Sequence, residues 1–235
     1  MAELRQIFLD TETTGLEIRE GNRIIEIGCV EMIDRKLTGN NYHQYIQVDR
    51  ESEEGALAVH GITREFLSDK PYFKEIVTDF LDYVRGAELI IHNAPFDVGF
   101  LNNELSLLSI TQKLEESCEI SDSLVLARQM HPGQRNTLDA LCKRYDIKNE
   151  HRTLHGALLD SEILADVYLA MTGGQTGLSF GEEGASDAGA VVTHGFQRLV
   201  GDRKPLSVVN ASTEELTSHQ KYMDGIEGDA KRFWH

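Results

Sequence analysis

Residues 6–16, QIFLDTETTGL, decide how the rest of the chain is read. An apolar run with the character of a buried strand ends there in two carboxylates one residue apart, Asp10 and Glu12. Side chains two apart on an extended strand share a face, so these two point the same way. Like charges at the end of a buried strand repel each other and resist desolvation, which calls for a positive group between them. A divalent metal ion is the obvious one. Taken alone, the stretch equally fits a strand that ends in an acidic turn, with Thr13, Thr14 and Gly15 as turn residues.

Working outward, residues 23–33 (RIIEIGCVEMI) read as a second strand interrupted by Glu26 and Glu31, and residues 42–48 as a third beyond a polar turn at 35–41. The three form an antiparallel meander. Residues 73–84 (FKEIVTDFLDYV) place Phe73, Ile76, Val77, Phe80, Leu81 and Val84 at helical spacing behind Pro71. Residues 87–92 read as a short buried strand and residues 96–108 as a helix with Pro95 near its first turn. Two more helices, 122–130 and 137–145, begin at capping residues, and 154–171 is the last long helix of this part. Strands followed by alternating helix and strand predict an α/β domain around a mixed central sheet, spanning residues 1–173.

Beyond it the texture changes. Seven glycines fall between Gly173 and Gly195 while apolar periodicity disappears, so residues 174–195 read as a flexible linker. Residues 196–235 regain a capped helical pattern from Ser212 and end in Phe233 and Trp234, the latter the single tryptophan of the chain. Some 40 residues bury little core alone, so this tail is expected to fold on a partner.

A chain of 235 residues that is 40% hydrophobic and 26% charged can bury a real core. It holds no apolar run near the length of a membrane span, and MAELRQIFLD has no basic region followed by an apolar stretch, so neither a span nor an export signal is expected. Cys29, Cys118 and Cys142 are odd in number and far apart, which argues against a disulfide framework and against structural zinc, and fits a reducing cytoplasm. The net charge of −16 argues against tight, non-specific binding of duplex DNA. It leaves room for an enzyme that meets phosphates through metal ions held by acidic ligands.

Three positions far from the first strand bear on that possibility. Asp97, in HNAPFDVGF, has the apolar helical neighbours Phe100 and Leu101 and should face inward. Asp160 has Ala157, Ile163, Leu164 and Val167 around it at helical spacing, and a carboxylate on such a stripe must be neutralised, protonated or metal-bound. Glu162 and Asp166 read as solvated face. His155 precedes Asp160 by five residues, about 140° of rotation on a continuous helix. The two can serve one site only if His155 lies at the helix start or before it, which Gly156 permits. Four carboxylates on separate elements with one histidine suit two-metal hydrolysis of a phosphodiester, with hard oxygen ligands favouring Mg²⁺ or Mn²⁺ and the imidazole able to accept a proton from water.

DTETTGL from Asp10, HNAPFD ending at Asp97, and HGALLD from His155 to Asp160 together resemble the three signature segments of the DEDD exonuclease superfamily in its histidine subtype. The resemblance implies an RNase H-like fold and 3′ to 5′ removal of nucleoside monophosphates from single strands or frayed ends. It implies that Asp10, Glu12 and Asp160 hold a first metal, that Asp10 bridges to a second supported by Asp97, and that His155 is the general base. Thr13 and Leu16 match positions that contact the terminal nucleotide, and His60 in AVHGIT matches another pocket segment.

A narrower resemblance, carried by LTGNNYHQYI, AVHGIT, RGAELIIHNA, TLHGALLD, YLAMTGGQT and the tail, is to the proofreading subunits of bacterial DNA polymerase III. It implies action at a DNA primer 3′ end, a tail that docks on the polymerase catalytic subunit, with Phe233 and Trp234 as anchors, and a small accessory subunit on the catalytic domain. Residues 175–180 (QTGLSF) resemble a sliding-clamp motif through Gln175, Leu178 and Phe180, with Gly177 departing from the pattern. An RNA-trimming exonuclease shares all three signature segments but has little need of a polymerase-binding tail. A mainly structural bridge between polymerase and clamp remains a third reading.

Overall fold

Six strands form one sheet in the computed structural model, which describes residues 4–148, 154–173 and 211–224. They are β1 (Arg5–Thr13), β2 (Ile24–Ile33), β3 (Lys36–Leu37), β4 (Tyr42–Tyr45), β5 (Glu88–Ile91) and β6 (Glu119–Asp122). The helices are α1 (Glu54–His60), α2 (Arg64–Leu67), α3 (Phe73–Val84), α4 (Ala94–Leu107), α5 (Ser123–Met130), α6 (Leu138–Tyr145), α7 (Ala157–Thr172) and α8 (Thr213–Asp224). The chain divides into two compact units, Met1–Phe180 and Gly181–His235.

The first strand lies inside the sheet because Ile7, Phe8 and Leu9 are wholly buried, and a strand apolar on both faces must be covered on both. It pairs antiparallel with β2 and parallel with β5, which in turn pairs parallel with β6. One face packs Ile7, Leu9 and Ile91 against Phe80 of α3 and Phe100 and Leu101 of α4. The other packs Phe8, Val30 and Ile90 against Leu164 and Ala165 of α7. A further stripe of α7, Ile163, Val167 and Met171, packs on Ala127 of α5 and Leu141 of α6. Helix α7 is thus enclosed between sheet and helices, and Glu162 and Asp166 fall on its exposed remainder, as their neighbours predicted.

Local signals place the helix starts. Asp122 accepts from the N–H groups of Leu124 and Val125 (2.8 and 3.3 Å), Thr137 from that of Ala140 (3.3 Å), and the Glu75 side chain from that of Tyr72 (2.8 Å). In the second unit, Ser212 and Glu215 cap α8 reciprocally. The three cysteines are buried and form no disulfide with one another. Among the described residues no helix is long and apolar enough to cross a membrane.

The structure differs from the sequence-based expectation at several places. The third strand ends at Tyr45 rather than 48, because the Ile46 N–H still reaches Ile25 (2.8 Å) but that of Gln47 turns to Pro71 (2.9 Å). The polar turn at 35–41 contains β3. The helices α1 and α2 and the strand β6, at seven, four and four residues, are too short to register as periodic patterns. The last long helix begins at Ala157 rather than 154, and Gly156 before it is extended (φ −154°, ψ 131°).

What seats α7 is Gly28. A Cβ there would stand 2.2 Å from the Ala157 carbonyl carbon and the Leu158 nitrogen, and the Gly28 carbonyl accepts from the Ser161 hydroxyl (2.9 Å). Only a bare backbone admits this approach. Gly28→Ala is expected to lose on the order of 1–3 kcal/mol through displacement of α7. Denaturant unfolding measures this, and an unchanged midpoint would show that the contact is not tight.

Candidate active site

The carboxyl ends of β1, β5 and β6 lie along one edge of the sheet, and every predicted acidic residue is found there. In the β1–β2 ladder Asp10 lies opposite Gly28 and Glu12 opposite Glu26. Because Gly28 brings the first turn of α7 onto the sheet, Asp160 arrives beside the strand end. Glu12, His155 and Asp160 each offer a ligand atom, and these atoms lie within 4.8 Å of one another. The problem of rotation along the helix is solved before it begins. His155 precedes α7 on an extended segment, its N–H donates to the Val59 carbonyl (3.1 Å), and its Nδ1 lies 3.4 Å from Asp160 Oδ2.

Asp97 reaches the same strand from the other side. It is buried in the first turn of α4, where Asn93 (φ 75°) and Pro95 set the helix start, and it accepts from the Thr11 hydroxyl (2.6 Å). Burial pushes its carboxyl up to about 7, against the Thr11 hydrogen bond that favours the charged form. Its helix is held to the sheet by a two-pronged ion pair: Arg23 Nε and Nη2 contact Glu104 Oε1 and Oε2 at 2.7 and 2.5 Å, and Glu104 is wholly enclosed.

Asp10 and Asp97 are not in the group of three, although Asp10 shares the strand face of Glu12 and Asp97 is bonded to the residue between them. Thr13, Leu16 and His60 come together in a cleft of about 390 Å³, lined also by Glu12, Glu53, Val59 and Phe96. The His60 ring accepts the Ile62 N–H on Nδ1 (2.9 Å), and burial lowers its pKa, so the neutral ring presents an Nε2 proton. Its helix α1 is tied to β1 through Glu53, whose N–H donates to the Thr14 carbonyl (2.7 Å) and whose Oε1 accepts from Asn22 (2.6 Å). Leu16 is exposed at the rim. Gln175, Leu178, Phe180, Phe233 and Trp234 lie outside the described residues.

Several contributors were not identified from the sequence. Thr11 alternates away from the two acids and so seemed merely inward-facing. Gly28 and Glu104 act through partners more than 80 residues distant. Glu26 read as a break in an apolar run, yet it is buried directly across from Glu12, and its Oε1 lies 2.7 Å from His43 Nε2. Like charges opposed across a ladder are destabilising. With Asp160 and Asp97 also buried, the strand end concentrates negative charge among oxygen donors, the chemistry that a hard divalent cation satisfies.

Comparison with known proteins agrees with this geometry. Residues 7–168 match the family described as Exonuclease, and the class is that of exonucleases on an RNase H-like fold, which work with divalent metal ions. Exonuclease X bound to 5′-overhanging duplex DNA shares 28% identity at a TM-score of 0.55, over 72% of this chain and 91% of that one. A zinc-bound E. coli ExoI–ssDNA complex has the same fold, with a TM-score of 0.63 at 17% identity over 74% of this chain and 41% of that one. The DNA polymerase III subunit epsilon of Salmonella typhimurium is 54% identical and that of Escherichia coli 52%, each over 95% of this chain and 93% of the relative. That of Buchnera aphidicola is 45% identical over the whole of both. The chain belongs to the family of DNA polymerase III epsilon subunits, and it is an exonuclease.

Burial of Asp97 has a consequence for the metal-free chain. Its folded pKa near 7 lies above the ordinary 3.8, so the folded state holds an extra proton between those values and loses stability as pH rises across them. Asp97→Asn keeps the acceptor for Thr11 without the charge. In the presence of a chelator it should be more stable than the parent at pH 8, by at most about 4 kcal/mol, and equal to it near pH 4. Urea unfolding at the two pH values measures this; a less stable variant at pH 8 would refute it.

Proposed function

We propose that the chain is the proofreading 3′ to 5′ exonuclease of a replicative DNA polymerase, removing mismatched nucleotides from the primer 3′ end at the site where Glu12, His155 and Asp160 meet. The convergence of those three ligand atoms within 4.8 Å, from elements almost 150 residues apart, is the observation that carries the reading. Asp10, Glu12 and Asp160 would hold one divalent ion, and Asp97, with Asp10 as bridge, a second; oxygen donors favour Mg²⁺ or Mn²⁺. When bound, the ions polarise the attacking water and the scissile phosphate and stabilise the leaving oxygen.

The side chains do the rest. His155, half exposed with its Nδ1 3.4 Å from Asp160 Oδ2, takes the proton from water. Thr13, Leu16 and His60 seat the terminal nucleotide in the cleft, with Leu16 and Phe96 offering apolar contact and His60 Nε2 a proton to donate. A mispaired end unpairs at lower cost, so selection needs no reading of bases.

In this reading residues 1–173 are the catalytic domain, 174–195 a linker and 196–235 a segment that binds the polymerase catalytic subunit. Exposed Leu216 and Tyr222 on the capped helix α8 support a partner for that segment. Gln175, Leu178 and Phe180 would touch the sliding clamp, Phe233 and Trp234 would anchor the tail, and a small accessory subunit would sit on the catalytic domain.

Asp10→Ala and Asp160→Ala should each abolish Mn²⁺-dependent release of nucleotides from a mispaired primer while remaining folded by circular dichroism. His155→Ala should lose about 10²- to 10⁴-fold in rate and still bind Mn²⁺ by calorimetry. Wild-type rates in the two aspartate variants would remove the proposed metal site. Removing residues 174–235 should leave hydrolysis of short single strands intact and eliminate co-purification with the polymerase catalytic subunit; retained association would place the docking surface elsewhere.

A further inference from the structure

His155 belongs to neither the sheet nor a helix. It precedes α7 on backbone that Gly156 keeps extended (φ −154°, ψ 131°), so the helix alone does not fix where its ring stands. The residue is held from outside, on α1. Its N–H donates to the Val59 carbonyl (3.1 Å), and one residue earlier the side chain of Leu154 lies against Gly61. A Cβ on Gly61 would stand 2.7 Å from Leu154 Cδ1, closer than two such carbons approach, so the Leu154 methyl group fills the space where a side chain at 61 would begin.

Gly61 is also the residue that ends α1. It sits in the left-handed region (φ 70°) and its N–H closes on the Leu57 carbonyl (2.8 Å), so the notch that receives Leu154 is formed by the helix cap itself. Leu154 is half exposed and is not among the residues that line the cleft. Neither core packing nor contact with a bound nucleotide therefore accounts for it. Its seat on Gly61 does.

Helix α1 has a second face to consider, because Val59 and His60 line the cleft. Val59 thus serves the cleft and, through its carbonyl, holds His155. The other end of α1 is tied to the end of β1 by the Glu53 N–H on the Thr14 carbonyl (2.7 Å). A ring of contacts results: β1 to α1 at Glu53, α1 to His155 at Val59 and Gly61, and then through Gly156 into α7, which returns to the sheet at Gly28. The wall of the cleft and the imidazole are held in register by two neighbouring contacts.

We propose that Leu154 is a positioning residue for the general base. Seated on Gly61, it keeps His155 against α1 in the orientation from which the imidazole takes the proton of the attacking water, in register with the wall that seats the terminal nucleotide. The inference rests on the reading of His155 as that base. Its contribution is to rate and not to binding, since a misplaced reacting group slows the chemical step while the cleft still holds its ligand.

Single-turnover hydrolysis of a single-stranded decanucleotide by the full chain, at saturating Mn²⁺, tests this. Leu154→Ala should lower the maximal rate about tenfold. The half-saturating oligonucleotide concentration, calorimetric Mn²⁺ binding and thermal midpoint should stay close to wild type. Leu154→Met keeps an apolar arm long enough to reach Gly61 and should recover most of the rate. In a chain already carrying His155→Ala, Leu154→Ala should cost no further rate, because no ring is left to position. Gly61→Ala gives a second cycle: its methyl displaces the end of Leu154 from the notch and lowers the rate, but it should add nothing to the rate loss of Leu154→Ala. The strain of alanine at a positive φ should lower the thermal midpoint equally in both backgrounds.

An unchanged rate in Leu154→Ala overturns the proposal. The same fractional loss with and without His155 also overturns it, since Leu154 would then act on the fold or on the strand and not through the base. A loss expressed only in half-saturation or in Mn²⁺ affinity does so too. If Gly61→Ala does not fold, the His155 cycle decides alone. Failure of the exonuclease reading is separately visible as a wild-type chain that releases no nucleotide, and failure of His155 as base as a His155→Ala chain with wild-type rates; either removes the premise, and the proposal falls with it.

Discussion

The site depends on one contact that tolerates no side chain. Where α7 meets β2 at Gly28, the helix backbone occupies the volume a Cβ would need, and Gly28 is the ladder partner of Asp10. The contact therefore fixes the distance between two acids contributed by opposite ends of the domain. It also sets the position of Gly156, and with it the turn that brings His155 back beside Asp160. Enclosure of α7 between the sheet and the α5–α6 pair holds the helix there from behind. Positioning within a fraction of an ångström is what hydrolytic chemistry requires, and here a packed core supplies it rather than a loop.

The same geometry makes the metal-free strand end electrostatically unfavourable. Glu12 faces Glu26 across the ladder, Asp160 lies among apolar neighbours, and Asp97 is buried deeply enough that its carboxyl rises to about 7. His43 on Glu26 and Thr11 on Asp97 relieve part of this internally. The Arg23–Glu104 pair contrasts with it, since there both charges are matched by a bidentate contact and the pair serves only to hold α4. The acids gathered at the sheet edge are the ones proposed to meet a cation, whereas the Arg23–Glu104 pair behind them belongs to packing.

How much of this was legible in the sequence followed the range of the interaction. Asp160 could be recognised as anomalous because its apolar neighbours lie within seven residues, and the relation of His155 to it followed from helix rotation and a single glycine. The DTETTGL, HNAPFD and HGALLD segments named the fold because each keeps its chemistry in a short stretch. Thr11, Gly28, Glu26 and Glu104 were opaque because their meaning lies in partners across a ladder or on another element. Helix α1 was missed for a different reason: seven residues with Gly55 among them give no periodic signal, and it is held by Glu53 and Val59 to Thr14 and His155 rather than by its own propensity.

An acidic exonuclease must reconcile its charge with its substrate. At −16 the chain is repelled by nucleic acid at long range, and the carboxylates gathered at the strand end add to that repulsion. Divalent ions held at the strand end would reverse the sign of the field only there, so affinity would stay low elsewhere on the surface. Such an enzyme gains from being delivered rather than from binding tightly, since tethering sets a high effective concentration at the primer end without slowing release. A glycine-rich stretch followed by a capped helix suits delivery of that kind. The Gly28 contact supplies the other half of that requirement, rigid seating of α7 against the sheet, so that precision comes from the packed core rather than from tight binding of the strand.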